Sequence, residues 1–142
     1  MTDHIHSAHH THDRPQLTKN QALVFGALEH AVEPLSAYTI LDRLRDSGFR
    51  APLQVYRALE KLVELGMVHR LESLNAFVAC SHPECGTHAT MGFAICDKCG
   101  KVTEFATESV AGQLQDWARS QDFALKKTTI ELRGLCQLCQ AA

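Results

Sequence analysis

Cys96-Asp97-Lys98-Cys99 and Cys136-Gln137-Leu138-Cys139 form two identical Cys-x-x-Cys brackets, and no other feature limits the possible folds of this chain so strongly. Two residues between the sulfurs let each bracket grip one ion from a tight turn. Two brackets together supply four thiolates, the closed tetrahedral set of a structural zinc site. Gly100 follows the first bracket and Gly134 precedes the second, and both suit a chain that turns sharply round a metal. The stretch 100–135 between the brackets is longer than the usual ribbon spacing. It has room for a strand, a helix and another strand, so the metal would staple the C-terminus back onto a small domain. A redox motif needs only one such pair, and no thioredoxin-like βαβ pattern lies nearby.

The chain has 142 residues, enough for one or two small domains, and two half-size cores would each be thin. A metal staple on one of them makes physical sense. No run of 18 apolar residues is present, so no membrane span is expected. The N-terminus lacks the basic-then-apolar pattern of a secretory signal. Six cysteines without such a signal point to reduced thiols and a cytoplasmic location. The net charge of -2 does not advertise nucleic-acid binding, which has to be argued locally.

Residues 1–14 hold His4, His6, His9, His10 and His12 with almost no apolar residue, and read as a disordered tail. Three helical patterns follow. Thr18 caps the first, with the stripe Leu23, Val24, Ala27, Leu28 and Ala31. Ser36 caps the second, with Ala37, Ile40, Leu41 and Leu44, and Gly48 ends it. Pro52 opens the third, with Val55, Leu59, Leu62 and Val63 inward and Gly66 as its stop. Two β-like runs, Met67 to Leu71 and Ala76 to Cys80, are joined by a turn containing Ser73 and Asn75. Three helices and a hairpin predict a winged helix-turn-helix over 15–80. Residues 81–92 read as a hinge. Beyond it, 93–142 reads as strands Phe93–Ile95 and Val102–Phe105, a helix over 108–121 with Val110, Leu114, Trp117 and Ala118 inward, and a strand Phe123–Leu132 that delivers the second bracket.

The solvent stripe of the third helix carries Gln54, Arg57, Lys61 and Glu64, with Tyr56 beside Arg57. A recognition helix places its N-terminal residues at base edges in the major groove. Arg57 fits a bidentate contact to guanine, and Tyr56 a thymine methyl or a phosphate. Between Asp42 and Arg57 the bases Arg43, Arg45, Arg50 and Arg57 outnumber the acids Asp42 and Asp46. A second metal constellation, His69, Cys80, His88 and Glu104, surrounds the hinge, and imidazole, thiolate and carboxylate together suit zinc. These four come from different segments, so spacing alone does not select them.

Residues 36–139 resemble the ferric uptake regulator (Fur) family, and most closely its zinc-sensing branch. The motifs are Ser36-Ala37-Tyr38, Val55-Tyr56-Arg57-Ala58-Leu59, the wing run Gly66 to Ser73, Ile95-Cys96-Asp97-Lys98-Cys99-Gly100 and Gly134-Leu135-Cys136-Gln137-Leu138-Cys139. The resemblance implies an α+β chain with an N-terminal winged helix and a small C-terminal α/β dimerisation domain. It implies a homodimer that binds palindromic operator DNA when metal occupies the hinge site. Carried over, Cys96, Cys99, Cys136 and Cys139 match the structural zinc site, and His69, Cys80, His88 and Glu104 the sensing site, so two zinc ions per subunit. Tyr38 and Arg57 match DNA-contacting positions, and Asp42 and Arg45 a pair that bridges neighbouring dimers on DNA. Iron-sensing members usually carry a His-His-Asp-His cluster before the first bracket, where this chain has only His88 in His88-Ala89-Thr90-Met91-Gly92. The loop between Cys80 and Cys96 adds His82 and Cys85, either of which could replace or supplement a ligand. The expected function is a zinc-responsive repressor of zinc uptake genes, not an enzyme. The alternative within the family is a sensor of iron, manganese or peroxide. A zinc hydrolase would need an open coordination position and a substrate pocket.

Overall fold

The computed structural model of the chain describes residues 15–81 and 91–141. The His-rich tail, His82, Cys85 and His88 lie outside the described residues. The elements run α1 (Lys19–Glu29), α2 (Ala37–Leu44), α3 (Pro52–Glu64), β1 (Val68–Leu71), β2 (Ala76–Ala79), β3 (Met91–Cys96), β4 (Val102–Ala106), α4 (Glu108–Ser120), β5 (Ile130–Gly134) and α5 (Gln137–Gln140).

Local chemistry starts and stops each N-terminal helix. The Thr18 hydroxyl accepts from the Gln21 N–H at 3.2 Å, and the Gln21 side chain accepts from the Thr18 N–H at 3.0 Å, a reciprocal cap on α1. Ser36 accepts from the Thr39 N–H at 3.1 Å to open α2. After a 3-10 turn at Arg45–Ser47, Gly48 takes φ 99, a conformation that favours glycine. Pro52 occupies the first turn of α3, where its missing N–H costs nothing. The buried residues Val24, Leu28, Ile40, Leu41, Leu44, Val55, Leu59 and Leu62 bring the three helices into one core. Val63 departs from expectation and is 40% exposed, because eight residues beyond Val55 the helix has rotated about 80° off the buried stripe. Ala58 takes the inward place instead.

β1 and β2 form the antiparallel wing, with Asn75 at φ 47 in its turn. Leu35 adds an isolated bridge to Phe77, closed by hydrogen bonds of 3.0 and 2.8 Å that tie the α1–α2 connection to the wing.

In the C-terminal half β3 is the middle strand, antiparallel to β4 and parallel to β5. Gly92 of β3 lies against Phe105 and Thr107, and a Cβ there would run into the Phe105 ring and sit 2.8 Å from the Thr107 methyl. The expected strand Phe123–Leu132 is shorter and later, at Ile130–Gly134. Its pairing with β3 runs from Gly92↔Ile130 to Cys96↔Gly134 among the described residues. β3 itself begins at Met91, two residues before the expected Phe93. The expected inward face of α4 is also corrected. Ala118 is buried, whereas Val110, Leu114 and Trp117 are 45%, 41% and 60% exposed. The Trp117 ring lies 6.4 Å from the tilted ring of Phe123.

The wing docks on this sheet. Leu71, at the end of β1, is fully buried with Met91, Phe93 and Ile95 of β3, and Val78 and Val102 pack around them. Truncating a buried leucine removes both transfer energy and packing, so Leu71→Ala should cost about 2–5 kcal/mol in denaturant unfolding. Leu53→Ala, at a position 56% exposed, should change stability by less than about 0.5 kcal/mol in the same measurement.

Candidate metal centres and nucleic-acid interface

The four bracket cysteines converge. Their sulfurs all lie within 4.8 Å of one another, and Cys99 and Cys136 are 3.7 Å apart. A zinc tetrahedron with bonds near 2.3 Å has sulfurs about 3.8 Å apart, so the cluster fits the ion. The backbone holds it in place. Gly100 at φ 76 closes the first bracket, with its N–H on the Cys96 carbonyl at 3.0 Å. Gly134 needs no such freedom, because it is the last residue of β5, opposite Cys96. Asp97 and Arg133 join the two brackets through a two-pronged contact of 2.6 and 2.7 Å. The Asp97 N–H also donates to the Gly134 carbonyl at 2.8 Å.

The Cys136 and Cys99 N–H groups donate to the Cys96 sulfur at 3.4 and 3.5 Å and pull its thiol down to about 6. Neighbouring Cys136 pushes Cys139 the other way, up to about 12. Four sulfurs this close cannot all ionise unless a cation sits among them. All four are free thiols.

At the domain junction the His69, Cys80 and Glu104 ligand atoms also lie within 4.8 Å of one another. His69 comes from β1, Cys80 follows β2 and Glu104 belongs to β4, so three segments meet there. The Cys80 N–H donates to the Met67 carbonyl at 2.8 Å, and the Ser81 N–H to a Glu104 carboxylate oxygen at 3.3 Å. Burial pushes the His69 imidazole below its ordinary value, against the pull of the Glu104 carboxylate, which favours the neutral, metal-binding form. Imidazole, thiolate and carboxylate are the donors zinc accepts. As a metal ligand the Cys80 sulfur would have to be a reduced thiolate. The fourth expected ligand, His88, lies outside the described residues. Phe93, which no sequence motif singled out, places its ring 5.2 Å from that of His69. In the sequence it is only one more apolar strand residue.

Tyr38 in the first turn of α2 is 63% exposed, and Tyr56 and Arg57 on α3 also face solvent. Gln54 is committed elsewhere. Its side-chain oxygen accepts from the Arg50 and Ala51 N–H groups at 2.8 and 3.1 Å, capping α3. Asp42 and Arg45 pair with each other at 3.0 Å within the chain, both well exposed.

Cys96→Ser should abolish the four-sulfur site. Because metal binding at such a site is coupled to folding, the variant should lose one equivalent of zinc and the cooperative melting of the C-terminal half, read by metal analysis and circular dichroism.

The ferric uptake regulator family model matches residues 16–133. The zinc uptake regulation protein of Escherichia coli (strain K12) is 43% identical over 106 residues, covering 74% of this chain and 61% of that protein. The chain thus aligns to less than two thirds of that relative's length. Two solved structures share the architecture. Holo XcZur superposes with a TM-score of 0.82 at 41% identity, covering 89% of this chain and 88% of that one. A zinc uptake regulator complexed with zinc and DNA gives 0.80 at 37% identity, covering 89% and 84%. With the two brackets closed into one cluster, a winged helix before them, and this match over most of its length, the chain belongs to the ferric uptake regulator family.

Proposed function

We propose that the protein is a zinc-responsive transcriptional repressor that binds palindromic operator DNA as a homodimer in the cytoplasm and controls zinc uptake genes. The observation that carries this reading is the position of the His69–Cys80–Glu104 cluster, at the seam between the wing and the C-terminal sheet. When bound there, zinc would supply a bond between the two halves, alongside the structural ion of the four cysteines. His69 and Cys80 belong to the wing hairpin and its exit, and Glu104 to the sheet, so occupation of the site fixes the wing against the sheet. In a dimer this sets the separation of two recognition helices, and half-sites one helical turn apart demand one separation. Cys80 as a soft ligand favours zinc over iron or manganese. The likeness to a zinc uptake regulator complexed with zinc and DNA supports the same reading.

Partnering is supported by the exposed α4 stripe of Val110, Leu114 and Trp117, the kind of apolar surface that a second copy covers. On DNA, Tyr38, Tyr56 and Arg57 form the reading face. Arg43 and Arg50, exposed beside it, suit phosphates. The exposed Asp42–Arg45 pair would exchange partners with the same pair on a neighbouring dimer.

The deciding experiment selects an operator from random DNA with reduced, zinc-loaded protein. Binding is then titrated with zinc, iron or manganese after chelation. Zinc should raise affinity the most, and a stronger response to iron or manganese would replace the zinc reading. Cys80→Ser should stay a folded dimer with its four-cysteine zinc, yet gain no operator affinity from added zinc. Arg57→Ala should lose about 1–3 kcal/mol per half-site on the operator, with little change on random DNA. Equal loss on both DNAs would make Arg57 a phosphate contact.

A further inference from the structure

Glu104 of β4, Phe93 of β3 and Glu131 of β5 are register partners, so their side chains form one row across the same face of the sheet. Each member meets the wing at a different height. Glu104 reaches the cluster with His69 and Cys80, and Phe93 packs against Leu71 and the His69 ring. Glu131 reaches the tip. One of its carboxylate oxygens accepts from the Glu72 N–H at 2.6 Å, the other from the Ser73 N–H at 3.1 Å. Lys127, three residues before β5, adds a 3.2 Å ion pair to the Glu72 side chain, and Arg70 approaches that carboxylate at 3.5 Å. Consecutive N–H groups in a turn make a concave anion seat. Here the seat is filled by a carboxylate from the other half of the molecule.

We propose that Glu131 is a positioning residue for operator recognition, clamping the wing tip to the sheet so that the metal cluster at the other end of the row closes a joint restrained to a few arrangements near the DNA-competent one. This rests on the reading of the protein as a DNA-binding repressor. The clamp is electrostatically committed. Burial pushes the Glu131 carboxyl up, but the hydrogen bonds from Ser73 and Glu72 and the charge of Arg133 outweigh it and leave it below the ordinary value. The apolar seat under Leu71 fixes how close the wing lies, because packing is short-ranged and does not resist a rocking motion. A two-pronged contact at the tip, far from the metal end, does resist it. Metal then adds its own differential affinity for the DNA-competent arrangement.

The test compares wild-type, Glu131→Ala and Glu131→Gln as full-length, reduced, zinc-loaded protein. Binding is measured to the selected operator and to versions with the half-site spacing changed by one base pair. Zinc content, dimer mass and hydrogen exchange of the Glu72 and Ser73 amides are recorded alongside. Glu131→Ala should keep its zinc and its dimer, expose both amides to exchange, bind the operator about tenfold more weakly and lose its preference among the spacings. Glu131→Gln retains an accepting oxygen and should recover most of that preference. A Glu131→Ala protein with wild-type affinity and spacing preference would overturn the proposal. So would an equal loss at every spacing that glutamine does not rescue, since that marks a stability role alone. If the wild-type protein bound no DNA with zinc, the repressor reading would fall by itself. Unchanged amide exchange in Glu131→Ala would then overturn the clamp as well, whereas faster exchange would uphold it.

Discussion

Leu71, a single residue at the end of a wing strand, is fully buried against Met91, Phe93 and Ile95 of the middle strand of the other half. That contact decides most of what the molecule can do. It is the apolar seat on which a winged helix and a three-stranded sheet become one body. It also carries His69, two residues earlier on the same strand, to within reach of Glu104. Without it the ligands at the seam would belong to two independent objects, and a metal ion would have to offset the whole entropy of bringing them together.

β3 makes this possible because it serves several purposes at once. Its side chains receive Leu71, its register partners supply Glu104 and Glu131, and its last residue is Cys96. The C-terminal half has only a thin core of its own, with α4 turned largely toward solvent. A metal ion held by the four cysteines at the end of β3 would tie β5 and α5 to the first bracket where burial is insufficient. The Asp97–Arg133 contact, half exposed on both sides, orients the brackets more than it stabilises them.

The two candidate metal sites therefore differ in their physics. The four cysteines sit within one half and close a fold. The His69–Cys80–Glu104 cluster spans two halves already in contact, so occupation selects among nearby arrangements of a preassembled joint. A ligand shifts such an equilibrium only by its differential affinity for the two arrangements. A joint held by Leu71 and Glu131 leaves few arrangements for an occupant to choose among.

Much of this was legible in the residues. The paired Cys-x-x-Cys spacing pointed to the four cysteines that cluster, because two residues between sulfurs is a local constraint that any fold must obey. Caps at Thr18 and Ser36, Pro52 and Gly48 marked the helices, because hydrogen bonds over three residues do not depend on distant partners. The expectation faltered where partners are remote. The last strand began only at Ile130, since pairing with β3 and not β propensity set its length. The α4 stripe faced outward, since periodicity reports an apolar face and not what covers it. Glu131 and Phe93 carried no signal at all. A glutamate in a half-exposed strand looks the same whether it meets water or the N–H groups of a turn 58 residues away in sequence. The sequence alone determined the local chemistry and the family. The tertiary structure decided which residues share the row that joins the two halves, because register across a sheet is set by packing between segments and is written in none of them singly.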